Sequence, residues 1–132
     1  MQTELMQARW CNVVNRQLVS FAGVQPIQMA HSDGTALPLV LADAFGADVI
    51  RFEGGRGVRM HTHPGAHILV VTKGTGFLPY CDKRYPLSAG MIYLVPSHMP
   101  HAIEAETELV MLSIGNNHQP AGSERRLTIV GG

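Results

Sequence analysis

The sequence predicts an all-β fold, a barrel or a sandwich, for this chain of 132 residues. Between residues 36 and 115, short apolar segments alternate with glycine, proline and aspartate turn signals, which is the pattern of short strands. No central segment has the apolar period of a helix. The length suits one core, and the chain has no linker, internal repeat or low-complexity tract, so residues 1–132 are expected to form one domain.

The first 30 residues are predicted to form an N-terminal arm ahead of the strands. The apolar residues of segment 4–21 fit a short amphipathic helix, but two short strands fit them equally well. Gly23 and Pro26 end this segment, and the run from His31 to Gly34 predicts a turn because it contains Asp-Gly.

Strands are predicted where β-branched and apolar residues lie between turn signals. Turns are expected at residues 45–48 and 83–86, and the loop 96–100 is too rich in proline for a central strand. Residues 127–130 are expected to add an edge strand. The predicted core strands are 37–42, 49–52, 58–63, 66–73, 77–82, 91–95, 101–105 and 109–114.

Four histidines in this pattern are candidate metal ligands, because imidazole is the commonest metal-ligating side chain. Residues two apart on a strand share a face, so His61 and His63 point the same way. A turn at Pro64-Gly65 then brings His67 to the start of the next strand beside them. His101 opens a later strand and could complete the set.

The stretch around these residues resembles the first sequence motif of the cupins, G-x5-H-x-H-x3,4-E-x6-G. Gly55, His61, His63 and Gly74 match its spacing, and His67 takes the place of the glutamate. The resemblance implies metal ligands at the first two histidines and a fourth ligand at His67. Four neutral imidazoles leave the ion's charge uncancelled, so the site should favour an anionic or chelating ligand.

The second cupin motif, G-x5-P-x-G-x2-H-x3-N, is matched further along the chain by Gly90, Pro96 and His101. His98 replaces the motif's second glycine, and Ala105 replaces its asparagine. The resemblance implies that His101 is the remaining metal ligand. Histidine is among the residues that are enriched at positive φ, so a turn at His98 can survive without glycine.

The resemblance also implies the fold, the cofactor and the assembly. The fold is the RmlC-like jelly roll, a double-stranded β-helix, with residues 36–115 as its core. The cofactor is one divalent transition metal ion, and Mn, Fe, Ni, Zn and Cu are not distinguished. A homodimer is expected, with the apolar segment around Trp10 and Leu18 as a contact surface or a swapped strand.

Strand parity predicts which side chains face the barrel interior. Leu69 and Val71 share the face of His67, so the interior beyond the ligands should be apolar. Arg51 and Arg59 would need a partner there, either a substrate carboxylate or a nearby glutamate, Glu53 or Glu104. His118, in the polar tail, is not expected to take part. The candidate pocket residues are Arg51, Arg59, Phe77, Tyr93, His98, Met111 and Ser113.

Charge and composition argue against several classes of partner. The formal net charge is zero and the basic residues form no stripe, so neither nucleic acid nor a membrane surface is an expected partner. No apolar run approaches the ~18 residues of a membrane span, and the start lacks a signal peptide, so a cytoplasmic location is expected. Cys11 and Cys81 are expected to be reduced, although a disulfide between them is an alternative.

Three functions are compatible with a histidine-bound ion in this fold. The first is a metal-dependent enzyme, dioxygenase-like or alternatively an isomerase, that acts on a small organic molecule. The second is a non-catalytic module that binds or senses a small molecule. The third is a structural ion, which would be closed and tetrahedral. No other catalytic motif is present. Since histidine binds metal in its neutral form, metal occupancy is expected to fall as pH drops toward and below ~6.

Overall fold

The computed structural model describes residues 26–131. The expected helix or strands of segment 4–21, and the dimer contact around Trp10 and Leu18, lie outside these residues. The described residues form strands, turns and loops without a helix, which confirms the all-β prediction. It follows that they contain no helix long and apolar enough to cross a membrane.

Eleven strands are present in the described part of the chain. Their bounds are β1 Ile27–Gln28, β2 Thr35–Ala42, β3 Phe45–Phe52, β4 Gly57–Thr62, β5 His67–Lys73, β6 Thr75–Tyr80, β7 Lys83–Ser88, β8 Ile92–Val95, β9 His101–Ala105, β10 Leu109–Gly115 and β11 Thr128–Ile129.

The strands form two antiparallel sheets. One sheet has the order β1-β2-β3-β10-β5-β8 and the other has the order β11-β4-β9-β6-β7. From β3 onward, strands that follow each other in sequence belong to opposite sheets, except the hairpin of β6 and β7. The two sheets together form the jelly roll that the resemblance to the cupins implies.

The core lies between the sheets and follows the predicted strand parity. Leu69 and Val71 of β5 are 2% and 1% exposed, and on β10 Leu109 and Met111 are fully buried and Ser113 is 3% exposed. Burying a side chain as large as leucine or methionine stabilises the fold by roughly 1.5–3 kcal/mol. The interior faces predicted for these two strands are therefore confirmed.

The turn predicted at residues 45–48 is wrong, because this segment opens β3. The chain instead reverses at Asp43-Ala44, where φ is 53° and 61°. Two consecutive residues with positive φ match the right-handed twist of the flanking strands in a hairpin. Asp-Ala lacks the glycine that usually marks such a turn, so the predicted turn begins two residues after the observed one.

The turn predicted at residues 83–86 is wrong for the same reason. The chain reverses at Cys81-Asp82, with φ of 49° and 66°, and Lys83–Ser88 forms β7. Pro86 is compatible with this strand because β7 lies at the edge of its sheet. His98 does adopt the positive φ expected of a residue that replaces the motif glycine, at 62°.

Candidate metal centre

His61 and His101 meet across the pairing of β4 with β9. They are directly opposed in the antiparallel register, after a shift in β4 between Val58 and His61. Their ring centroids are 4.3 Å apart. Both residues are buried, at 3% and 1% exposure. The pairing of two neighbouring strands therefore fixes the positions of two imidazoles inside the barrel.

His63 brings a third imidazole to this pair. It follows the end of β4 and shares the inward face of His61, as the parity of the strand predicts. Its Nε2 atom lies 3.0 Å from the Nε2 atom of His101. One nitrogen from each of the three rings lies within 4.8 Å of the other two.

Backbone carbonyls fix the tautomer of these three rings. The Nδ1 atoms of His61, His63 and His101 lie 2.8, 3.0 and 2.9 Å from the carbonyl oxygens of Arg59, Gly65 and Met99, in that order. A carbonyl oxygen only accepts, so each Nδ1 donates its hydrogen. In the neutral ring, Nε2 is then unprotonated and carries a lone pair. A metal-bound histidine has this tautomer, with Nδ1–H bonded to a carbonyl and Nε2 bonded to the metal.

The convergence of these lone pairs fits a metal ion. Two unprotonated nitrogens at 3.0 Å, on His63 and His101, cannot bond to each other and repel unless a cation lies between or beside them. The donor set is three neutral imidazoles, which suits divalent ions such as Zn, Cu, Fe and Ni. The buried cluster of His61, His63 and His101 could therefore bind a metal ion.

Burial keeps the cluster in its neutral form. Burial first, and then the charge of His101, lowers the pKa of His61 to about 4 and that of His63 to about 3. Burial also lowers the pKa of His101 itself. The rings are neutral at neutral pH, and neutral imidazole is the form that binds metal.

His67 lies beside this cluster but is not one of its three mutually close members. Its ring centroid is 3.6 Å from that of His63 and 6.3 Å from that of His101. Its Nε2 atom contacts the Nε2 atom of His63. Burial, and then the charges of His63 and His101, lowers the pKa of His67 to about 2. The structure thus brings together three of the four expected ligands and leaves the fourth beside them.

A cavity of about 50 Å³ opens next to the four imidazoles. Its lining has an apolar part, the apolar wall, and a polar part, the polar wall, which comes mainly from the segment that follows β10. The apolar wall includes Ile50, Phe52, Val58, Leu69, Ile103 and Leu127, and the polar wall includes Ser113, Asn116, Asn117, His118, Gln119 and Arg126. Space of this volume holds roughly four water molecules.

Among the candidate pocket residues, Ser113 lines this cavity. The two arginines do not line it. Arg51 forms a salt bridge with Glu108 on the surface, a partner that the sequence did not suggest, and Arg59 is exposed and borders other depressions.

The remaining four candidates also lie away from the lining. Phe77 packs under the Arg84 guanidinium, 3.9 Å from its centre to the ring centroid. Tyr93 donates a hydrogen bond to the carbonyl of Pro86 at 2.6 Å. His98 is exposed in its loop, and Met111 is buried in the core.

Sequence reasoning missed a buried ionic network behind the polar wall. The Arg126 guanidinium donates two hydrogen bonds to the Asp48 carboxylate, at 2.8 and 3.0 Å, and the Nε2 atom of His118 lies 3.1 Å from the same carboxylate. Asp48 is 2% exposed. Burial alone would raise the pKa of Asp48, but the hydrogen bonds of His118 and Arg126 and their charges hold it below its usual value. The available signal was Asp48, a charged residue within the strand β3, but the sequence pattern assigned it to a turn.

Comparison with known proteins supports the fold and a ligand-binding role. The family model of the AraC-like ligand binding domain matches residues 47–121. No curated protein matches the chain. Among solved structures, a predicted oxalate decarboxylase from Thermotoga maritima superposes with a TM-score of 0.64 at 18% identity, over 72% of this chain and 94% of that one.

Two further solved structures show the same fold. A cupin-like protein from Thermotoga maritima is 26% identical, with a TM-score of 0.61, over 71% of this chain and 80% of that one. A mutant of the salicylate 1,2-dioxygenase from Pseudoaminobacter salicylatoxidans is 20% identical, with a TM-score of 0.62, over 70% of this chain but only 28% of the dioxygenase. These similarities show that the chain shares the fold of a cupin-like protein.

Proposed function

We propose that this chain, which belongs to the AraC-like ligand binding domain family, is a metal-dependent domain that binds a small organic molecule. The observation that carries the proposal is the convergence of three Nε2 lone pairs from His61, His63 and His101. These residues would hold one divalent transition metal ion. Such an ion would supply Lewis-acid polarisation to a ligand oxygen beside it.

The fourth ligand of the proposed site is His67. Its support is the contact of its Nε2 atom with that of His63 and the 3.6 Å between the ring centroids of the two residues. Three or four imidazoles leave coordination positions open in a five- or six-coordinate ion. A structural ion would instead be closed by four ligands, and the cavity beside the imidazoles argues against that function.

The size of the cavity restricts the ligand. A space of about 50 Å³ holds roughly four waters, so the enclosed part of a ligand is limited to a few non-hydrogen atoms. A molecule as large as a flavonol would extend out of the mouth. We therefore expect a small ligand.

Metal titration of the chelator-treated protein tests the proposal. Isothermal titration calorimetry with Zn, Mn, Ni and Co should give one site per chain, and the Co form should show a visible spectrum that changes when a small ligand enters. A ligand panel observed by NMR should then cause shifts at residues lining the cavity, in the metal-loaded protein. Failure to bind any of these ions would overturn the metal site, and ligand shifts confined to other surfaces would overturn its role in binding.

Dioxygenase-type catalysis is the second candidate function. It is favoured by the cavity beside the imidazoles, which gives a substrate access, and by the likeness of the fold to a salicylate 1,2-dioxygenase. Oxygen uptake by the Fe- and Mn-loaded protein with catechols, β-diketones and small carboxylates tests it. Ligand binding without turnover would leave a binding or sensing domain, and oxygen-independent rearrangement of a ligand would favour an isomerase.

A homodimer is also part of the proposal. Its support lies on β8, the edge strand of the six-stranded sheet, where Ile92 and Leu94 are 65% and 66% exposed, and on β5 beside it, where Ile68 pairs with Leu94 and is 37% exposed. A patch of this kind can pair with its own copy about a two-fold axis.

Light scattering across a range of protein concentrations would give the mass of the assembly. Leu94→Asp should shift a dimer to monomer, whereas Val130→Asp, at another exposed apolar position, should not. A dimer that is unchanged by Leu94→Asp would exclude this face, and a monomeric parent would exclude the dimer.

A further inference from the structure

The Arg126 guanidinium is only partly used by the network that holds it. Nη1 donates to Asp48 Oδ2 and to the carbonyl of Gln119, and Nη2 donates to Asp48 Oδ1. A guanidinium has five N–H donors in a fixed plane. Two of them, the Nε–H and the second Nη2–H, have no acceptor among residues 26–131. These two donors are neighbours on one edge of the plane and form a second fork.

This free edge belongs to a side chain that lines the metal-side cavity. The Arg126 side chain is 11% exposed, so the fork is neither on the open surface nor sealed in the core. Every fully buried side-chain nitrogen or oxygen of the described residues has a partner. The Nε atom, which has no partner among these residues, is therefore not fully buried.

The charged residues that line the cavity indicate the sign of the charge on its ligand. Arg126 is the one Lys, Arg, Asp or Glu among the described residues that line it. Asp48, which balances this charge, lies behind Arg126 and does not line the cavity. A cavity with a cation, neutral imidazoles and no carboxylate in its lining favours an anion.

We propose that the free Nε–H and Nη2–H edge of Arg126 binds the carboxylate of a small ligand in this cavity, and so selects small 2-hydroxy or 2-oxo carboxylates. Parallel N–H donors of arginine match the two oxygens of a carboxylate in a bidentate pair. Such a ligand has a second oxygen next to its carboxylate, suited to the ion that the histidines would hold. This assignment of a ligand class rests on the proposed function.

The first test observes Arg126 itself. The Nε–H of arginine gives its own signal in ¹H–¹⁵N spectra, and the signal of Arg126 is assigned by its absence in Arg126→Lys. Lactate and pyruvate should shift this signal, and their neutral counterparts lactamide and pyruvamide should not. The titration is run on both the metal-free and the Zn-loaded protein. An Arg126 signal that does not move in either form would overturn the proposal.

Binding measurements on variants provide the second test. In the Zn-loaded protein, lactate should bind at least about tenfold less tightly to Arg126→Lys, which keeps the charge but loses the fork. The double variant Asp48→Asn/Arg126→Gln removes both charges together and should also lose the preference for lactate over lactamide. Arg125→Gln changes an exposed neighbour and should bind as the parent does.

The two proposals fail in different ways. Loss of the lactate preference with unchanged Zn affinity supports a recognition role for Arg126. Equal binding of lactate by the parent and Arg126→Lys overturns that role and leaves the metal site standing. If Zn does not bind, the metal-dependent function fails, and the Nε signal of the metal-free protein still decides whether Arg126 recognises carboxylates. If the variants do not fold, the Nε signal of Arg126 is assigned in the parent through its own side-chain carbons, and its response to lactate decides the question.

Discussion

His61 and His101 occupy directly opposed positions on β4 and β9, with ring centroids 4.3 Å apart and with each Nδ1 donating to a carbonyl two residues earlier in its own chain segment. The same backbone pairing thus sets the spacing of the two rings and the direction of their lone pairs. Sliding one strand by a single residue would turn one of the rings to the other face of the sheet. The proposed metal site is consequently built into the register of the sheet.

Replacing one member of this pair should abolish tight metal binding. His101→Ala removes one of the three converging nitrogens, and because loss of even a hydrogen-bond partner of a metal ligand costs 10–100-fold in affinity, we expect a loss of at least about 100-fold. His31→Ala is the matched control, since that histidine is exposed and pairs with Glu124. Calorimetric titration with Zn measures both, and equal affinity in the two variants would contradict the site.

The stability of the metal-free protein should fall when the pH is lowered from 7 to 4. The pKa of His61 is about 4 and that of His63 about 3 in the fold, against 6.5 for an ordinary histidine. Between pH 6.5 and the pKa of the folded state, the unfolded chain binds protons at these histidines and the folded chain does not. The stability that the neutral cluster contributes is therefore fully present above pH 6.5 and is lost as pH falls toward the folded pKa. Each histidine contributes at most about 1.4 kcal/mol per pH unit.

Urea unfolding of the metal-free protein at pH 7, 6 and 5 measures this loss of stability. A free energy of unfolding that stays constant between pH 7 and 5 in the parent would contradict the prediction, and a fall that is equally large in His101→Ala would show that the cluster is not its cause.

The same pKa values lower the pH at which metal loss is expected, from about 6 to about 4. Because protons compete for the folded cluster only near pH 4, a protein that is loaded with metal at pH 7 should keep its metal at pH 5 and lose it near pH 4. Metal analysis after dialysis at each pH measures this.

Gly115 should be required for the position of His67. A Cβ atom at Gly115 would lie 2.8 Å from the Cβ of His67 and 2.7 Å from the carbonyl oxygen of Ala66, closer than such atoms approach. Gly115→Ala should therefore displace the start of β5 and weaken metal binding, if His67 is a ligand. Gly122→Ala is the control, since its Cβ would meet only Ile27 at 3.7 Å.

The comparison with His67→Ala separates two effects of this substitution. If Gly115→Ala lowers the melting temperature but not the Zn affinity, and His67→Ala also leaves the affinity unchanged, His67 is not a ligand and the site has three histidines. If both lower the affinity, the fourth-ligand proposal gains support.

Strand parity is the reason that much of the site could be predicted from sequence. Alternation along one strand places His61 and His63 on one face, and the same rule assigns Leu109, Met111 and Ser113 to the interior, as observed. Parity is a local property, so short segments are enough to apply it. The match to the cupin motifs added His101, which no local rule connects to the first two histidines.

Contacts between distant segments could not be predicted in this way. Asp48 meets His118 and Arg126 across 70 and 78 residues of sequence, and neither strand parity nor the two motifs covers residues 118 and 126. Each of these residues taken singly is typical of a turn or a polar tail. The positions of the two hairpin turns were predicted wrongly for a related reason. Asp43-Ala44 and Cys81-Asp82 adopt positive φ without the glycine that would mark such a turn in the sequence.

The buried network of Asp48 should contribute far more to stability than a surface salt bridge does. Asp48→Asn leaves the Arg126 charge, on a side chain that is 11% exposed, without its carboxylate, and breaking a buried pair by removing one partner costs about 3–5 kcal/mol. The matched control is Glu104→Gln, which breaks an exposed pair with Arg84 and should cost about 0–1 kcal/mol.

Denaturant unfolding at pH 7, in low and high salt, measures both losses. The loss in Asp48→Asn should persist in high salt because buried pairs are weakly screened, while any loss in Glu104→Gln should shrink. The hydrogen bonds and charges of His118 and Arg126 hold the pKa of Asp48 below 3.8 in the fold, so its contribution is present above that pH and disappears as pH falls below it. The gap between parent and Asp48→Asn should therefore be constant from pH 7 to 5 and should narrow below pH 4. A gap no larger than that of Glu104→Gln would mean that Asp48 does not hold the polar wall of the cavity in place.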